Sequence, residues 1–323
     1  MTGPASQSPP PADAARPRSS WRYMWIAGLI LYLGVVWYIG IDRLRNAFTA
    51  LDYWYLLAFM ALDAAATWLR VLKWRFMLGH GSSAAGLFFL SKLGGAFTPM
   101  RLGELSPLML KDHRSPRLAA WIVVDRMLET SATLVLGGAG VLVLGLARHH
   151  LFMPLALAAV ILLVAPPYLA TRGQWFEAFA KRLPERGRSR KAVEFVAQSS
   201  GAIRALLPRT PMAALLTVTA TCMDLALAVI LLAAFGHGIS MSLAAVVQCV
   251  HGIISLLPFT PNASGIPYVG VAMLLKELAG VPYEVMAAAV PVQAAARGVV
   301  FWSSLGAGLW LMQKGKLERH GNT

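Results

Sequence analysis

The sequence predicts an all-α polytopic membrane protein with about six transmembrane helices and two re-entrant helical hairpins in an inverted repeat. Composition is the first observation behind this prediction: the 323 residues are 57% hydrophobic and only 14% charged, and the mean hydropathy is +0.59. Soluble domains are less apolar and more highly charged. The second observation is that several apolar runs reach the roughly 20 residues that a helix needs to cross a bilayer. The third is a pair of apolar segments that Pro and Gly interrupt.

Six apolar runs are long enough to be spans. They lie at about 23–41, 53–78, 117–147, 151–171, 211–236 and 283–313. The run that includes Trp25 is too long for the apolar core of a cleavable signal. Residues 1–22, rich in Pro, Ser and Ala, are expected to form a disordered cytoplasmic tail. We expect a single membrane domain over 23–313 and a second cytoplasmic tail over 314–323.

Two further segments, 83–112 and 241–279, are apolar but broken near their middle. The tripeptide Phe-Thr-Pro stands at 97–99 and again at 259–261, and a glycine follows four residues after each proline. If either segment crossed fully, the basic loops would alternate between the two sides of the membrane, against the positive-inside rule. We therefore expect two hairpins that enter from opposite faces. The units 53–147 and 211–313 would then be inverted repeats, as in many transporters.

The net charge of +14 is concentrated in particular connections. The stretch 172–210 carries nine basic and three acidic residues. Between two spans, such a stretch predicts a cytoplasmic loop that contacts anionic lipids rather than nucleic acid. The same positive-inside rule predicts a multi-pass protein of the cell inner membrane with both termini in the cytoplasm.

Charged residues inside apolar segments are costly in lipid and normally face a bundle interior, where they have a partner or a function. In the third span, Asp125 and Glu129 share one helix face, and Arg126 can reach Glu129 three residues away. Lys73 and Arg75, at the end of the second span, are expected to extend to the interface instead. The candidate residues for binding a lipid headgroup are Arg70, Arg101, Glu104, Asp125, Arg126, Glu129, Asn262 and Arg297.

These residues predict a largely cationic chamber for a phosphate-bearing headgroup. Arginine presents a fork of donors that suits phosphate oxygens. Half-helices that begin after Pro99 or Pro261 would add free backbone N–H groups. The alternative is a set of buried ion pairs that only fixes helix register. No Walker A motif, dinucleotide fingerprint or HExxH metal motif occurs, so we expect no metal and no cofactor.

The charged motifs together resemble the lysylphosphatidylglycerol synthase transmembrane-region family, also described as flippase-like integral membrane proteins, over about 25–313. The matching pieces are Arg70…Lys73-Trp74-Arg75, Pro99-Met100-Arg101-Leu102-Gly103-Glu104, Asp125-Arg126-Met127-Leu128-Glu129 and Arg297-Gly298…Trp302. The family often has a glutamate after the glycine-rich turn of the second tip, and this chain has none there. The resemblance implies movement of a lipid or a lipid-linked sugar between leaflets.

Three functions are compatible with these features. The favoured one is a translocator, not an enzyme, that binds the headgroup of a phospholipid or polyprenyl-linked lipid through buried arginines. A second is a noncatalytic membrane partner of a glycosyltransferase or lipid synthase. A third is an intramembrane enzyme acting on a lipid phosphate, with Glu104 or Asp125 as the catalytic group.

Overall fold

A computed structural model gives the fold of the chain. It describes residues 33–34, 37, 40–79, 83–97, 102–110, 115–146, 157, 161, 168, 178, 188–255 and 266–320. Most of the predicted spans 23–41 and 151–171, the tail 1–22 and both hairpin tips lie outside these residues. In the part that is described, every regular element is helical.

The described helices are numbered here in chain order. They are α1 (Ile41–Thr49), α2 (Tyr53–Leu78), α3 (Ser83–Phe97), a 3₁₀-helix (Leu102–Met109), α4 (Pro116–Val143), α5 (Arg188–Leu206), a short 3₁₀ turn (Leu207–Arg209), α6 (Thr210–Ala233), α7 (Met241–Ser255), α8 (Ile266–Ala279) and α9 (Tyr283–His320).

Four described stretches are long and apolar enough to cross a membrane. They are Tyr53–Leu78, Pro116–Val143, Val193–Ala233 and Tyr283–Gly308. These stretches overlap four of the predicted spans and are consistent with a polytopic membrane protein. Their starts follow local chemistry: the Asp52 side chain accepts a 2.8 Å hydrogen bond from the backbone N–H of Trp54, and Ser115 caps α4 just before Pro116. Both are common helix-start signals.

Part of the basic connection 172–210 is a helix. Residues 188–206 form α5, which packs against α4 and buries Ala197, Ile203 and Leu206. A 3₁₀ turn links α5 directly to α6. Helix α5 was not predicted from the sequence, because the spans were identified by mean hydropathy and the arginines of this stretch lower it.

Two pairs of short elements lie between the long helices. In the first half, α3 packs against the 3₁₀-helix, and in the second half α7 packs against α8. Within the described residues none of the four elements exceeds 15 residues, fewer than the roughly 20 that a full span needs. The element that follows the first tip is a 3₁₀-helix rather than the expected α-helical half-helix. It is fixed to α3 by hydrogen bonds from Ser91 to the Glu104 carbonyl and from Ser106 to the Leu90 carbonyl.

Each short pair also rests on the other half of the chain: α7 packs against α4, and α3 packs against α9. Helix α2 packs against α6 between the halves, α2 also contacts α9, and α6 also contacts α4. The two halves make corresponding contacts. If α2, α3 and α4 are replaced by α6, α7 and α9 respectively, and the reverse, each contact in this set becomes another contact of the set. The α4–α7 contact is close because Gly137 and Gly140 face Cys249 and the backbone of Ser242 with no side chain between.

Candidate functional site

A cavity of about 300 Å³ lies between the two halves. Helices α2, α3 and α4 line it from the first half, and α6, α7 and α9 line it from the second. Seven of its described lining residues carry charged side chains: Asp63, Arg70, Lys92, Arg126, Glu129, Asp224 and Arg297. The apolar segments therefore bring their charged residues together in one place.

Glu129 is the centre of this charge cluster. Its carboxylate accepts hydrogen bonds from Lys92 Nζ at 2.9 and 3.0 Å and from Arg126 Nη1 at 3.2 Å. Lys73 and Arg70 follow at 3.8 and 3.9 Å. One carboxylate thus contacts cations from α2, α3 and α4. The predicted Arg126–Glu129 pair is confirmed.

Arg126 is oriented by Glu104, which lies on the 3₁₀-helix behind the cavity wall. The guanidinium donates to both carboxylate oxygens of Glu104, with Arg126 Nε 2.9 Å from Oε2 and Nη2 bound to Oε1. This forked pairing is specific in geometry and strong. It depends on Gly95, because a Cβ there would stand 2.5 Å from Glu104 Cγ.

Asp125 lies in a buried network that shares Lys73 with the cluster around Glu129. Lys73 Nζ is 2.5 Å from Asp125 Oδ1 and donates to Thr217 Oγ1 at 3.0 Å. Trp74 Nε1 donates to Asp125 Oδ2 at 2.9 Å. The Lys73 side chain is only 1% exposed, so the expectation that Lys73 extends to the interface is wrong. An ion pair satisfies its ammonium group inside the protein instead.

The second half contributes Asp224 and Arg297. Arg70 of α2 donates to Asp224 Oδ2. Arg297 stands between two carboxylates, with Nε 3.6 Å from Asp63 Oδ1 and Nη2 3.9 Å from Asp224 Oδ1. Its side chain is 40% exposed, and its buried Nε has no hydrogen-bond partner within the described residues. Of the charged side chains that line the described cavity, Arg297 is the one held most loosely.

The described lining of the cavity carries four basic and three acidic side chains. Arg101, a member of the expected cationic chamber, lies outside the described residues, so the largely cationic chamber stays a prediction. Uncharged polar residues complete the lining: Thr67, Thr130, Thr133, Thr221, Gln248 and His251. His251 also lines the cavity, with its ring centroid 5.2 Å from that of Tyr268.

The candidate residues divide into three groups. Four line the cavity: Arg70, Arg126, Glu129 and Arg297. Glu104 and Asp125 are buried behind it and hold Arg126 and Lys73. Arg101 and Asn262 lie outside the described residues, as do Thr98, Pro99 and Pro261.

Sequence reasoning left three of the lining charges out of the candidate set. Lys92, Asp63 and Asp224 all contact members of that set. Each is a charged residue in an apolar segment, which is the same signal that selected Arg126 and Glu129. Their pairing partners lie in other helices and are distant in sequence, so spacing along the chain did not connect them.

Comparison with known proteins identifies the family of the chain. No curated protein and no solved structure matches the chain. The family model described as the lysylphosphatidylglycerol synthase TM region matches residues 25–308. This range includes every described residue of the cavity, and the chain belongs to this family of integral membrane proteins.

Proposed function

We propose that this protein is a flippase-like translocator that moves a phospholipid or lipid-linked sugar between the leaflets of the inner membrane. Its headgroup would bind in the cavity between the two halves, where Arg126 and Arg297 would contact the phosphate. The observation that carries the proposal is Arg297: a guanidinium at a cavity between membrane helices, partly exposed and without a close hydrogen bond to any described residue. Charged groups in such a position usually mark a pathway for a polar substrate.

The packing supports a mechanism based on two related halves. Exchanging the first-half helices for their second-half counterparts reproduces the contacts between them. We propose that the halves are inverted in the membrane, that the two short pairs are re-entrant hairpins, and that both termini are cytoplasmic. Rocking of one half against the other would then open the same cavity to each leaflet in turn. Two ion pairs, Arg70–Asp224 and Arg297–Asp63, join the first half to the second. Rocking would therefore change the distances within these two pairs first.

The carboxylates have a positioning role in this proposal, and no catalytic step is assigned to the chain. Glu104 and Asp125 would be the catalytic groups of a lipid-phosphate enzyme. Each is engaged by a basic side chain behind the cavity wall, which favours orientation of the cations over proton transfer to a substrate.

A leaflet assay in proteoliposomes tests the proposal. The wild type is expected to accelerate exchange of an acyl-labelled phospholipid between leaflets. Arg297→Ala should slow this exchange about tenfold or more, because hydrogen bonds to charged groups contribute roughly 1.5–3 kcal/mol. Arg75→Ala is the matched control, since Arg75 is an exposed arginine at the end of α2.

Equal exchange by the wild type and Arg297→Ala would reject headgroup binding by this arginine. Absence of exchange by the folded wild type with every lipid offered, together with a co-purifying glycosyltransferase or lipid synthase, would favour the noncatalytic partner instead. Arg126→Ala is a second test, and its thermal unfolding must be measured in parallel, because it leaves Glu104 without its forked partner.

A further inference from the structure

Two helix contacts beside the cavity, α4 with α7 and α9 with α3, correspond when the halves are exchanged but are built differently. In the α4–α7 contact the backbones approach closely. A Cβ at Gly137 would lie 2.4 Å from Cys249 Cβ, and one at Gly140 would lie 2.5 Å from the Ser242 carbonyl oxygen. Helices that pack this closely through small residues associate tightly in a membrane. A hydrocarbon chain does not fit between these backbones.

Aromatic rings fill the α3–α9 contact instead. Phe89 is fully buried, and its ring centroid lies 5.5 Å from that of Phe301 on α9 and 5.2 Å from that of Phe88. A Cβ at Gly308 would stand 3.3 Å from the Phe89 ring. Lipid tails are as apolar as these rings, so a hydrocarbon chain between α3 and α9 would replace the contacts it breaks. Separation of α3 from α9 is therefore expected to cost less than separation of α4 from α7.

The rings of the α3–α9 contact connect the charged site with the surface. Phe88 and Phe301 line the cavity, and Lys92 Nζ lies 5.8 Å from the Phe88 ring centroid. At the other end, the ring centroid of Trp302 lies 5.6 Å from that of Phe301. Trp302 is 60% exposed among the described residues. These four aromatic residues, Phe88, Phe89, Phe301 and Trp302, are called the aromatic row below.

Arg297 and Phe301 place a cation and the aromatic row on one face of α9. They are four residues apart, so their side chains are neighbours on the helix surface, with Cβ atoms about 6 Å apart. Both line the cavity. An amphiphile whose phosphate contacts Arg297 can therefore reach the aromatic row within one helical turn.

We propose that the α3–α9 contact is the lateral opening of the cavity, and that the aromatic row binds the hydrocarbon chain of a lipid whose phosphate is at Arg297. The inference rests on the proposed translocation of a lipid headgroup through the same cavity. A headgroup that crosses in this way needs a lateral opening, because its hydrocarbon chains stay in the bilayer. Fatty acyl and polyprenyl chains share the chemistry that the aromatic row recognises. The α4–α7 contact stays closed.

A disulfide across the α3–α9 contact tests the opening. A Cβ at Gly308 would lie 3.8 Å from Ala85 Cβ, which matches the mean separation in disulfides of about 3.8 Å. Ala85→Cys/Gly308→Cys is made in a chain whose Cys222 and Cys249 are replaced by Ala. Oxidation should slow exchange of labelled lipid between the leaflets of proteoliposomes about tenfold or more, because the opening can no longer widen, and reductant should restore it.

The reduced double variant and the two oxidised single variants are the controls. Thermal unfolding of the reduced double variant checks its fold, and mass spectrometry measures how much of the disulfide has formed. Exchange that is equally fast before and after complete oxidation overturns the lateral opening.

Photolabelling tests chain binding by the aromatic row without relying on transport. The probes are phosphatidylglycerol with a diazirine on its acyl chain and polyprenyl phosphate with a diazirine on its first isoprene unit, and comparison of the two identifies the kind of chain. At least one probe should label the peptide that contains Phe301 and Trp302. Arg297→Ala should reduce this labelling about tenfold, whereas Arg75→Ala should leave it unchanged.

A peptide elsewhere on the chain controls for ordinary contact with surrounding lipid. Leu215 is exposed on α6, and the peptide that contains it should be labelled equally in the wild type and both arginine variants. Absence of labelling at the aromatic row, or labelling that Arg297→Ala leaves unchanged, overturns the proposed chain site.

The lateral opening and the translocator function fail on different results. Labelling that depends on Arg297, without exchange of any lipid by the wild type, would overturn the translocator function and leave the chain site intact. Exchange by the wild type that the disulfide does not slow would overturn the lateral opening and leave the translocator function intact.

Discussion

Arg126 of α4 holds both carboxylate oxygens of Glu104, which belongs to a separate element 22 residues earlier in the chain. This forked pair joins the 3₁₀-helix that follows α3 to α4. It also fixes the direction in which the remaining Arg126 nitrogen, Nη1, faces Glu129. The geometry depends on the lack of a side chain at Gly95.

Gly95→Ala should therefore act at a distance on Arg126. The new Cβ would lie 2.5 Å from Glu104 Cγ and 2.9 Å from Oε1, so it would displace the carboxylate. We expect a loss of about 1–3 kcal/mol, the usual range for overpacking, measured by thermal unfolding in detergent. The double variant Gly95→Ala/Glu104→Ala should be no less stable than Glu104→Ala alone, because the clash is then absent. Additive losses would contradict the proposed cause.

The α4–α7 contact gives a second prediction from glycine. A Cβ at Gly140 would stand 2.5 Å from the Ser242 carbonyl oxygen and 3.2 Å from Ala245 Cβ, whereas a Cβ at Gly138 meets nothing within 4 Å. Gly140→Ala should lower the unfolding temperature because the helices must separate, and Gly138→Ala, two residues away on the same helix, should not. Similar unfolding temperatures for the two variants would show that this close approach does not limit stability.

The buried Lys73–Asp125 pair should be sensitive to the loss of one partner. Asp125→Leu leaves the buried Lys73 ammonium group with Glu129, at 3.8 Å, as its remaining carboxylate within the described residues, and it is expected to cost about 3 kcal/mol, the lower end of the range for breaking a buried pair. The double variant Lys73→Met/Asp125→Leu removes both charges and should recover much of this stability, although Trp74 Nε1 also loses its acceptor. Chemical unfolding of the two single variants and the double variant measures the coupling. A double variant as unstable as the sum of the single variants would argue against pairing.

The proposed hairpins can be tested by thiol labelling. Met100→Cys and Asn262→Cys, each made in a chain that lacks Cys222 and Cys249, should react with a membrane-impermeant maleimide from opposite sides. The first is expected to react from the cytoplasm and the second from outside, both more slowly than a cysteine in a tail. Free reaction of both positions from the same side would contradict the inverted repeat.

Hydrophobic runs predicted the long helices well because length and apolarity act locally. The boundaries of α2 match the predicted span 53–78, and the start of α4 lies one residue from the predicted 117. Residues 188–206 were not predicted to be helical. The arginines of α5 lower its mean hydropathy, and its buried face is defined by contacts with α4, which the sequence of α5 does not reveal.

The candidate site was predicted in part. Charged residues in apolar sequence correctly indicated Arg70, Arg126, Glu129 and Arg297 as neighbours of one cavity. The ion-pair partners could not be predicted from the sequence, because pairs such as Arg70–Asp224 and Lys73–Asp125 join helices that are distant in sequence. The same limit applies to the balance of charge in the lining, because each carboxylate has to be assigned to its cations in space.

The crossed packing of the short helices has a consequence for how the protein is made. Helix α4 emerges from the ribosome well before α7, the helix that covers its Gly137 and Gly140 surface. Arg297, the partner of Asp63, emerges later still. Insertion and assembly are therefore separated in time: the early helices enter the bilayer with their interior surfaces uncovered, and neither half encloses the cavity until translation has passed α9.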